Sequence, residues 1–140
     1  MVFLTLTKEG FFIMSELIIY KCSGCGNIAA VIENMGIAMN CCGMDMDELK
    51  ANTTDAAVEK HVPVISGSGD AVEITVGSTL HPMTPEHHIS WIMLHTNQGF
   101  QIKYLDKTGE PKVKFALAGA DSLIAVYGYC NLHGLWKSAK

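Results

Sequence analysis

The sequence lacks an excess of basic residues, and it also lacks a long apolar run. Its 140 residues carry 10 Lys and Arg against 14 Asp and Glu, for a net charge of −4. A nucleic-acid binder needs a basic face, so we expect no nucleic-acid partner. An anionic substrate would have to be attracted by local positive charge. No apolar stretch reaches the roughly 20 residues that cross a bilayer, so we expect no membrane span.

A secretion signal is also missing from the N-terminal segment. Met1 to Met14 includes Lys8 and Glu9 and lacks the order of charged, apolar and small residues that marks a signal peptide. We therefore expect a cytoplasmic protein. Met14-Ser15-Glu16 is a more natural start, which would make residues 1–13 a mis-assigned extension, and we set residues 1–14 apart from the predicted domains as an N-terminal extension.

No helical periodicity, internal repeat or low-complexity segment is found. The chain is 49% hydrophobic and 17% charged, which is typical of a globular protein. What is present is a series of short alternating or apolar segments separated by turns, which predicts antiparallel strands and a β-sandwich. The predicted strands cover residues 17–20, 28–33, 62–65, 72–76, 89–94, 100–104, 113–117 and 123–129.

Four of the five cysteines fall in the first third of the chain: Cys22, Cys25, Cys41 and Cys42. In a reducing compartment such a group favours a metal or redox site over disulfides. Residues 15–50 are too few to fold on an apolar core alone, and a four-thiolate site would supply the missing free energy. Zinc and iron both suit four thiolates. The adjacent Cys pair differs from the two separated Cys-x-x-Cys loops of a zinc ribbon. A polar linker follows, and residues 51–140 form the second predicted domain.

A thiol and an imidazole lie three residues apart at the end of the last strand, as Cys130 and His133. Asn131 and Gly134 tolerate the tight turn that would present both groups to one metal ion. The pair alone is weak evidence, because a buried Cys often acts as a small hydrophobe.

Three further imidazoles strengthen this interpretation, at His61, His81 and His87. His81 and His87 would be about 20 Å apart on an extended chain, so the segment between them must fold back to reach one ion. Pro82 and Pro85 suit a fixed loop of that kind.

These motifs together resemble desulfoferrodoxin, the two-iron class of superoxide reductase, from about Ile18 to Lys137. The resemblance rests on five motifs in order, which are Cys22-x-x-Cys25, Cys41-Cys42, Glu59-Lys60-His61-Val62-Pro63, His81-Pro82-Met83 with His87, and Cys130-Asn131-Leu132-His133-Gly134. It implies a desulforedoxin-like domain followed by an immunoglobulin-like sandwich. The implied cofactors are two iron ions, one held by the four clustered cysteines and one held by His61, His81, His87, His133 and an axial Cys130.

The same resemblance implies the reaction and the partners. Superoxide would be reduced to hydrogen peroxide at the His/Cys iron, with Lys60 attracting superoxide and Glu59 helping peroxide to leave. A small electron donor such as rubredoxin and a homodimer are also implied. An extended backbone would place Glu59 on the same face as His61 and turn Lys60 away, so Lys60 would need a flexible loop. His88 stands where the family commonly has an aromatic, and we interpret it as a surface or packing residue.

Two other functions compete with this one. A pure electron carrier or iron-binding module would need only the four-cysteine site and would leave the histidines without a role. A hydrolase with Cys130 as nucleophile and His133 as base would need a free thiolate, and it would leave His61, His81 and His87 unexplained.

Overall fold

The computed structural model of the chain describes residues 3–7, 10–14, 17–67 and 70–140, with the backbone alone for the first two ranges. It divides into two units, Met1–Leu49 and Lys50–Lys140. Strands β1 (Phe3–Thr7) and β2 (Gly10–Met14) pair antiparallel within the segment that we interpreted as an extension. The predicted first residue of the small domain, Ser15, lies outside the described residues.

The remainder of the first unit is a set of short strands with a very small core. Strands β3 (Ile18–Lys21) and β4 (Ile28–Val31) form an antiparallel pair, β5 (Asn40–Cys41) pairs with β6 (Met44–Asp45), and β7 (Asp47–Glu48) pairs with β3. Among residues 17–49 the buried apolar side chains are Leu17, Ile19, Cys22 and Met46. So few buried groups cannot order a unit of this length, which agrees with the need for a metal.

The second unit is an antiparallel β-sandwich, as predicted. After a helical turn, α1 (Val58–His61), come β8 (Pro63–Ser66), β9 (Ala71–Val76), β10 (Ile89–Thr96), β11 (Gly99–Tyr104), β12 (Lys112–Ala116), β13 (Leu123–Cys130) and β14 (Gly134–Ala139). One sheet has the order β11-β10-β13-β14 and the other has the order β12-β9-β8. The mainly β fold class is confirmed.

The core lies between the two sheets. Strand β9 alternates as its sequence predicts, with Val72, Ile74 and Val76 buried. Strand β10 is buried on both faces, because Ile92 and Leu94 enter the core and Trp91 and Met93 are also covered. The pair β10–β13 begins at Ile89 opposite Cys130, so the core brings the last cysteine to the end of a well-packed ladder.

One local prediction was wrong, namely the extended backbone before β8. Residues 58–61 form a single helical turn, with the Lys60 amide donating to Ala57 O at 3.2 Å and the Val62 amide to Val58 O at 3.0 Å. Four residues are too few to show helical periodicity, which is why the sequence did not reveal the turn. Glu59 and His61 therefore do not share one face through strand alternation.

Among the residues that the structure describes, no helix has the length and apolar character to cross a membrane.

Candidate metal centres

The first candidate centre is a group of four thiols supplied by two turns. Cys22 and Cys25 lie in the turn after β3, which is closed by the Gly26 amide donating to Cys22 O at 2.9 Å. Cys41 ends β5, and Cys42 follows in the turn to β6 with a φ of 55°. The four sulfur atoms all lie within 4.8 Å of one another, and the Cys25 and Cys41 sulfurs are 3.6 Å apart.

The thiols of this group cannot all ionise on their own. The Cys25 amide donates to Cys22 Sγ at 3.5 Å and lowers the pKa of Cys22 to about 6. Hydrogen bonds between the Cys42 thiol and the sulfurs of Cys25 and Cys22 raise the pKa of Cys42 to about 12. Hydrogen bonds of Cys41 with the same two sulfurs raise the pKa of Cys41. A cation at the centre removes this conflict, because it stabilises every thiolate at once. The donor set therefore fits a four-coordinate metal.

The second candidate centre collects side chains from distant parts of the second unit. His61 ends α1, His81 follows β9, His87 precedes β10 and Cys130 ends β13, and their ligand atoms all lie within 4.8 Å of one another. His61, His81 and Cys130 are almost wholly buried. Such a group of soft and borderline donors is suited to a transition metal.

The segment between His81 and His87 folds back as Pro82 and Pro85 predicted. The Thr84 amide donates to His87 O at 2.9 Å, and the His87 amide donates to Thr84 O at 3.2 Å. This closed turn places the His81 and His87 ring centroids 4.6 Å apart. Both imidazoles can therefore face one ion.

His133 lies beside these four residues. Its Nδ1 is 3.0 Å from His61 Nε2 and 3.8 Å from Cys130 Sγ, and its ring centroid is 5.0 Å from that of His87. The structure thus brings together all five side chains that the resemblance assigns to the second iron.

Backbone carbonyls set the tautomers of two of the imidazoles. His61 Nδ1–H donates to Ala57 O at 2.7 Å, and His81 Nδ1–H donates to Pro82 O at 2.6 Å. Each bond leaves Nε2 without a proton and free to act as a ligand. His81 Nε2 and His87 Nε2 are buried and have no hydrogen-bond partner. Buried polar atoms are normally paired, so these two nitrogens are suited to act as ligands of a metal ion.

The ionisation of this group also suits a metal. Burial lowers the pKa of His61 and His87, and it lowers the pKa of His81 to about 4, so these imidazoles are neutral at neutral pH. Burial raises the pKa of Cys130, although the amides of His133 and Leu132 oppose this by donating to its sulfur. A cation is thus needed to hold Cys130 as a thiolate, and its binding releases a proton.

Trp136 is a contact that the sequence did not reveal as part of this site. Its ring stacks on His61 with centroids 4.8 Å apart, and its Nε1–H donates to His133 O at 3.1 Å. Trp136 therefore packs directly on two members of the cluster. The sequence contains no signal that distinguishes this tryptophan from any other core aromatic.

Gly77 fixes the backbone that carries Glu59 and Lys60. A β-carbon at Gly77 would overlap Glu59 O and lie 2.7 Å from the Lys60 carbonyl carbon. Glu59 O also accepts the Thr79 amide at 2.9 Å and Ser78 Oγ–H at 3.3 Å. The predicted flexible loop is therefore an anchored turn, from which Glu59 and Lys60 are exposed to solvent.

The charges of this turn act on the cluster. Burial is the main cause of the low pKa of His61 and His87, and the positive charge of Lys60 lowers both further. The negative charge of Glu59 raises the pKa of His61. Both side chains thus contribute to the electrostatic potential of the site.

His88 and His95 belong to neither metal group. His88 is buried, with its amide donating to Asn131 Oδ1 at 2.8 Å and its Nδ1–H donating to Thr84 O at 3.0 Å, so it packs in the interior and not on the surface. His95 lies beside Phe100, with ring centroids 4.7 Å apart.

Family models match nearly all of the chain after its first strands. The model described as Desulfoferrodoxin matches residues 53–139, and the model described as Desulfoferrodoxin, N-terminal domain, matches residues 15–49. Both candidate metal centres fall within the matched ranges.

Individual relatives agree with these matches. A desulfoferrodoxin from Syntrophotalea carbinolica is 43% identical over 123 residues, covering 88% of this chain and 96% of that protein. A superoxide reductase from Pyrococcus horikoshii is 40% identical over 97 residues, or 57% of this chain and 84% of that protein. The crystal structure of the superoxide reductase from Treponema pallidum aligns with a TM-score of 0.76 and 38% identity, over 89% of this chain and 99% of that one.

Proposed function

The chain belongs to the desulfoferrodoxin family and is a superoxide reductase with two iron centres, and we propose that its reaction takes place at the buried His/Cys cluster. The proposed ligands of the catalytic iron are His61, His81, His87, His133 and Cys130. The observation that carries this assignment is the pair of buried, unpartnered nitrogens, His81 Nε2 and His87 Nε2, facing a buried thiol. An electron carrier that used only the four-cysteine centre would leave these atoms without a function.

Ferrous iron held by these five side chains would supply one electron to a small anion. Superoxide takes up that electron and two protons and leaves as hydrogen peroxide, and no dioxygen is released. The imidazoles are neutral and Cys130 contributes a single negative charge, so the loaded site keeps a net positive charge that admits an anion. Trp136 covers one side of His61 and excludes water there. The hydrolase alternative is disfavoured, because Cys130 is buried and its pKa is raised by burial.

Metal analysis combined with superoxide kinetics tests this function. We expect about two irons and little zinc per chain in protein purified without oxygen, since each donor set holds one ion. The reduced protein should consume superoxide with hydrogen peroxide as product and without release of dioxygen. Dioxygen release at half the superoxide consumed would indicate a dismutase, and failure of the second centre to take up iron would overturn the assignment.

The exposed pair Glu59 and Lys60 is proposed to handle the anion at this site. Lys60→Ala should slow the bimolecular reaction with superoxide by about 2- to 10-fold at low ionic strength, because it removes a positive charge that acts on the cluster. The salt dependence of the rate should flatten. Glu59→Gln should not slow this step, although it should delay release of peroxide. Stopped-flow or pulse-radiolysis rates at several salt concentrations measure both effects.

Lys140→Ala is the matched control for charge. Lys140 is exposed and follows β14 at the end where Ala139 pairs with Ala125, away from the Gly134–Cys130 pair. Lys140→Ala removes the same unit of positive charge as Lys60→Ala, and it should leave the rate of reaction with superoxide nearly unchanged. An equal fall in Lys60→Ala and Lys140→Ala would mean that only net charge matters and that Lys60 has no local role.

The remaining parts of the proposal concern partners and location. We place the protein in the cytoplasm as a homodimer that receives electrons from a small carrier such as rubredoxin. The dimer is supported by three strongly exposed apolar side chains in the first unit, Ile32, Met35 and Ile37, which are 85%, 81% and 79% exposed. A monomeric mass by light scattering would contradict the dimer, and failure of reduced rubredoxin to reduce the protein would contradict the donor.

A further inference from the structure

Asn131 connects the two segments that carry Cys130 and His87. Its backbone amide donates to His88 O at 3.1 Å, and its Oδ1 accepts the His88 amide at 2.8 Å. Its Nδ2–H donates to Glu86 O at 2.9 Å. The three hydrogen bonds thus reach both chain neighbours of His87 from the residue that directly follows Cys130.

The same strand pair is closed by an asparagine at its other end. There the Asn97 amide donates to Ser122 O at 3.0 Å, and Asn97 Oδ1 accepts the Ser122 amide at 2.7 Å. Asn131 and Asn97 therefore both extend the β10–β13 ladder by one backbone and one side-chain hydrogen bond. They differ in two respects, since Asn131 makes the additional bond to Glu86 and lies beside two members of the metal cluster.

The surroundings of His87 explain why this connection matters. The ladder of β10 begins only at Ile89, and its register is irregular between Ile89 and Trp91. His87 lies before that point, in the turn where its amide and carbonyl bond to Thr84 within the same segment. Those bonds shape the turn but do not fix its distance from β13. The bonds of Asn131 join the turn to β13.

We propose that Asn131 is a positioning residue that holds His87 at the distance from Cys130 that iron binding requires. The proposal rests on the proposed function, because it takes His87 and Cys130 as ligands of the catalytic iron. In the folded protein Asn131 keeps His87 Nε2 buried among the other ligand atoms. A ligand held in place before binding loses little conformational entropy when the ion enters.

Iron retention is the measurement that tests this role. The iron-loaded, reduced protein is mixed with excess ferrous chelator, and loss of iron from the second centre is followed over time. The two centres can be separated by absorption after oxidation, since one has four thiolates and the other has one. In Asn131→Ala the iron should leave about 10 to 100 times faster than in the wild type, the usual cost of losing a partner that orients a ligand. The visible band of the oxidised second centre should also shift.

Asn97→Ala is the matched control. It removes the equivalent side-chain bond from the same strand pair, while the Ser122 amide still donates to Asp121 Oδ1 at 2.9 Å, so it should lower the melting temperature of the iron-loaded protein by no more than Asn131→Ala does. Its iron release should stay within about twofold of the wild type, and its spectrum should be unaltered. Equal release from the two variants would overturn the positioning role, since it would show that Asn131 contributes only to ladder stability.

Asn131→Asp covers the case in which Asn131→Ala does not fold. It keeps the acceptor for the His88 amide and loses the donor to Glu86 O, so its iron should leave at a rate between those of the wild type and the alanine variant. Release at the wild-type rate would overturn the proposal. Wild-type protein that holds no iron at the second centre would instead contradict the proposed function, so the two failures are distinguishable.

Discussion

Replacement of Cys130 by serine is expected to abolish superoxide reduction while the four-cysteine centre keeps its iron. The thiol is buried and lies among the imidazoles of the cluster. Serine has nearly the same shape, but its hydroxyl does not ionise near neutral pH, so the proposed site would lose its only anionic and soft ligand. Loss of an outer partner of a metal ligand costs up to about 100-fold in activity, and loss of the ligand itself should cost more than that.

Stopped-flow decay of superoxide and iron content per chain measure this outcome together. We expect about one iron per chain, with the absorption of the four-thiolate centre intact and the band of the second centre absent. Circular dichroism should show an intact sandwich, because Ile89, Ile92, Leu94 and Val126 pack the same core in both proteins. Superoxide reduction near the wild-type rate would contradict the assignment of the reaction to this cluster.

Much of this site can be read from the sequence, because ligand identity is a local property. Cys22 and Cys25 lie three apart, as do Cys130 and His133, and each spacing fits a turn that presents two donors to one ion. Several strands could also be predicted, because the alternation of apolar and polar residues is likewise a local property of the sequence. Val72, Ile74 and Val76 alternate with polar residues, and this alternation directly reflects a half-buried strand.

The supporting contacts could not be predicted, because they join residues that are distant in sequence. Asn131 and His88 are 43 residues apart, and Ser78 and Glu59 are 19 apart. An asparagine after a strand predicts a turn, but it does not indicate which groups its side chain will hydrogen-bond. Nothing in the sequence around Gly77 indicates that the backbone of Glu59 lies close to it.

The exposure of side chains on the edge strand β11 could not be predicted from the sequence either. The alternation of Phe100, Ile102 and Tyr104 correctly predicts a strand, yet these three side chains are 41%, 45% and 82% exposed because β11 is at the edge of its sheet. Which face of a strand is covered depends on the neighbouring elements, and alternation alone does not contain that information.

Replacement of Cys41 by serine is expected to have the opposite result to the change at Cys130. The first unit should lose its iron and most of its order, because the four buried apolar side chains described among residues 17–49 are too few to offset the roughly 1–2 kcal/mol that ordering each residue costs. Structural metals of this kind supply about 10–16 kcal/mol to small domains. The second unit has its own core and should stay folded, with its iron bound.

Limited proteolysis and superoxide kinetics on one preparation separate the two roles open to the four-cysteine centre. If the iron only stabilises the first unit, Cys41→Ser should become cleavable within residues 17–49, while the reduced protein should react with superoxide at close to the wild-type rate. If the iron relays electrons, the first reaction should again be normal, but re-reduction by an external donor should slow at least tenfold. Protection of residues 17–49 in Cys41→Ser after loss of the first iron would contradict the stabilising role. Because Cys41→Ser and Cys130→Ser make the same chemical change, any difference between them reflects which iron is lost.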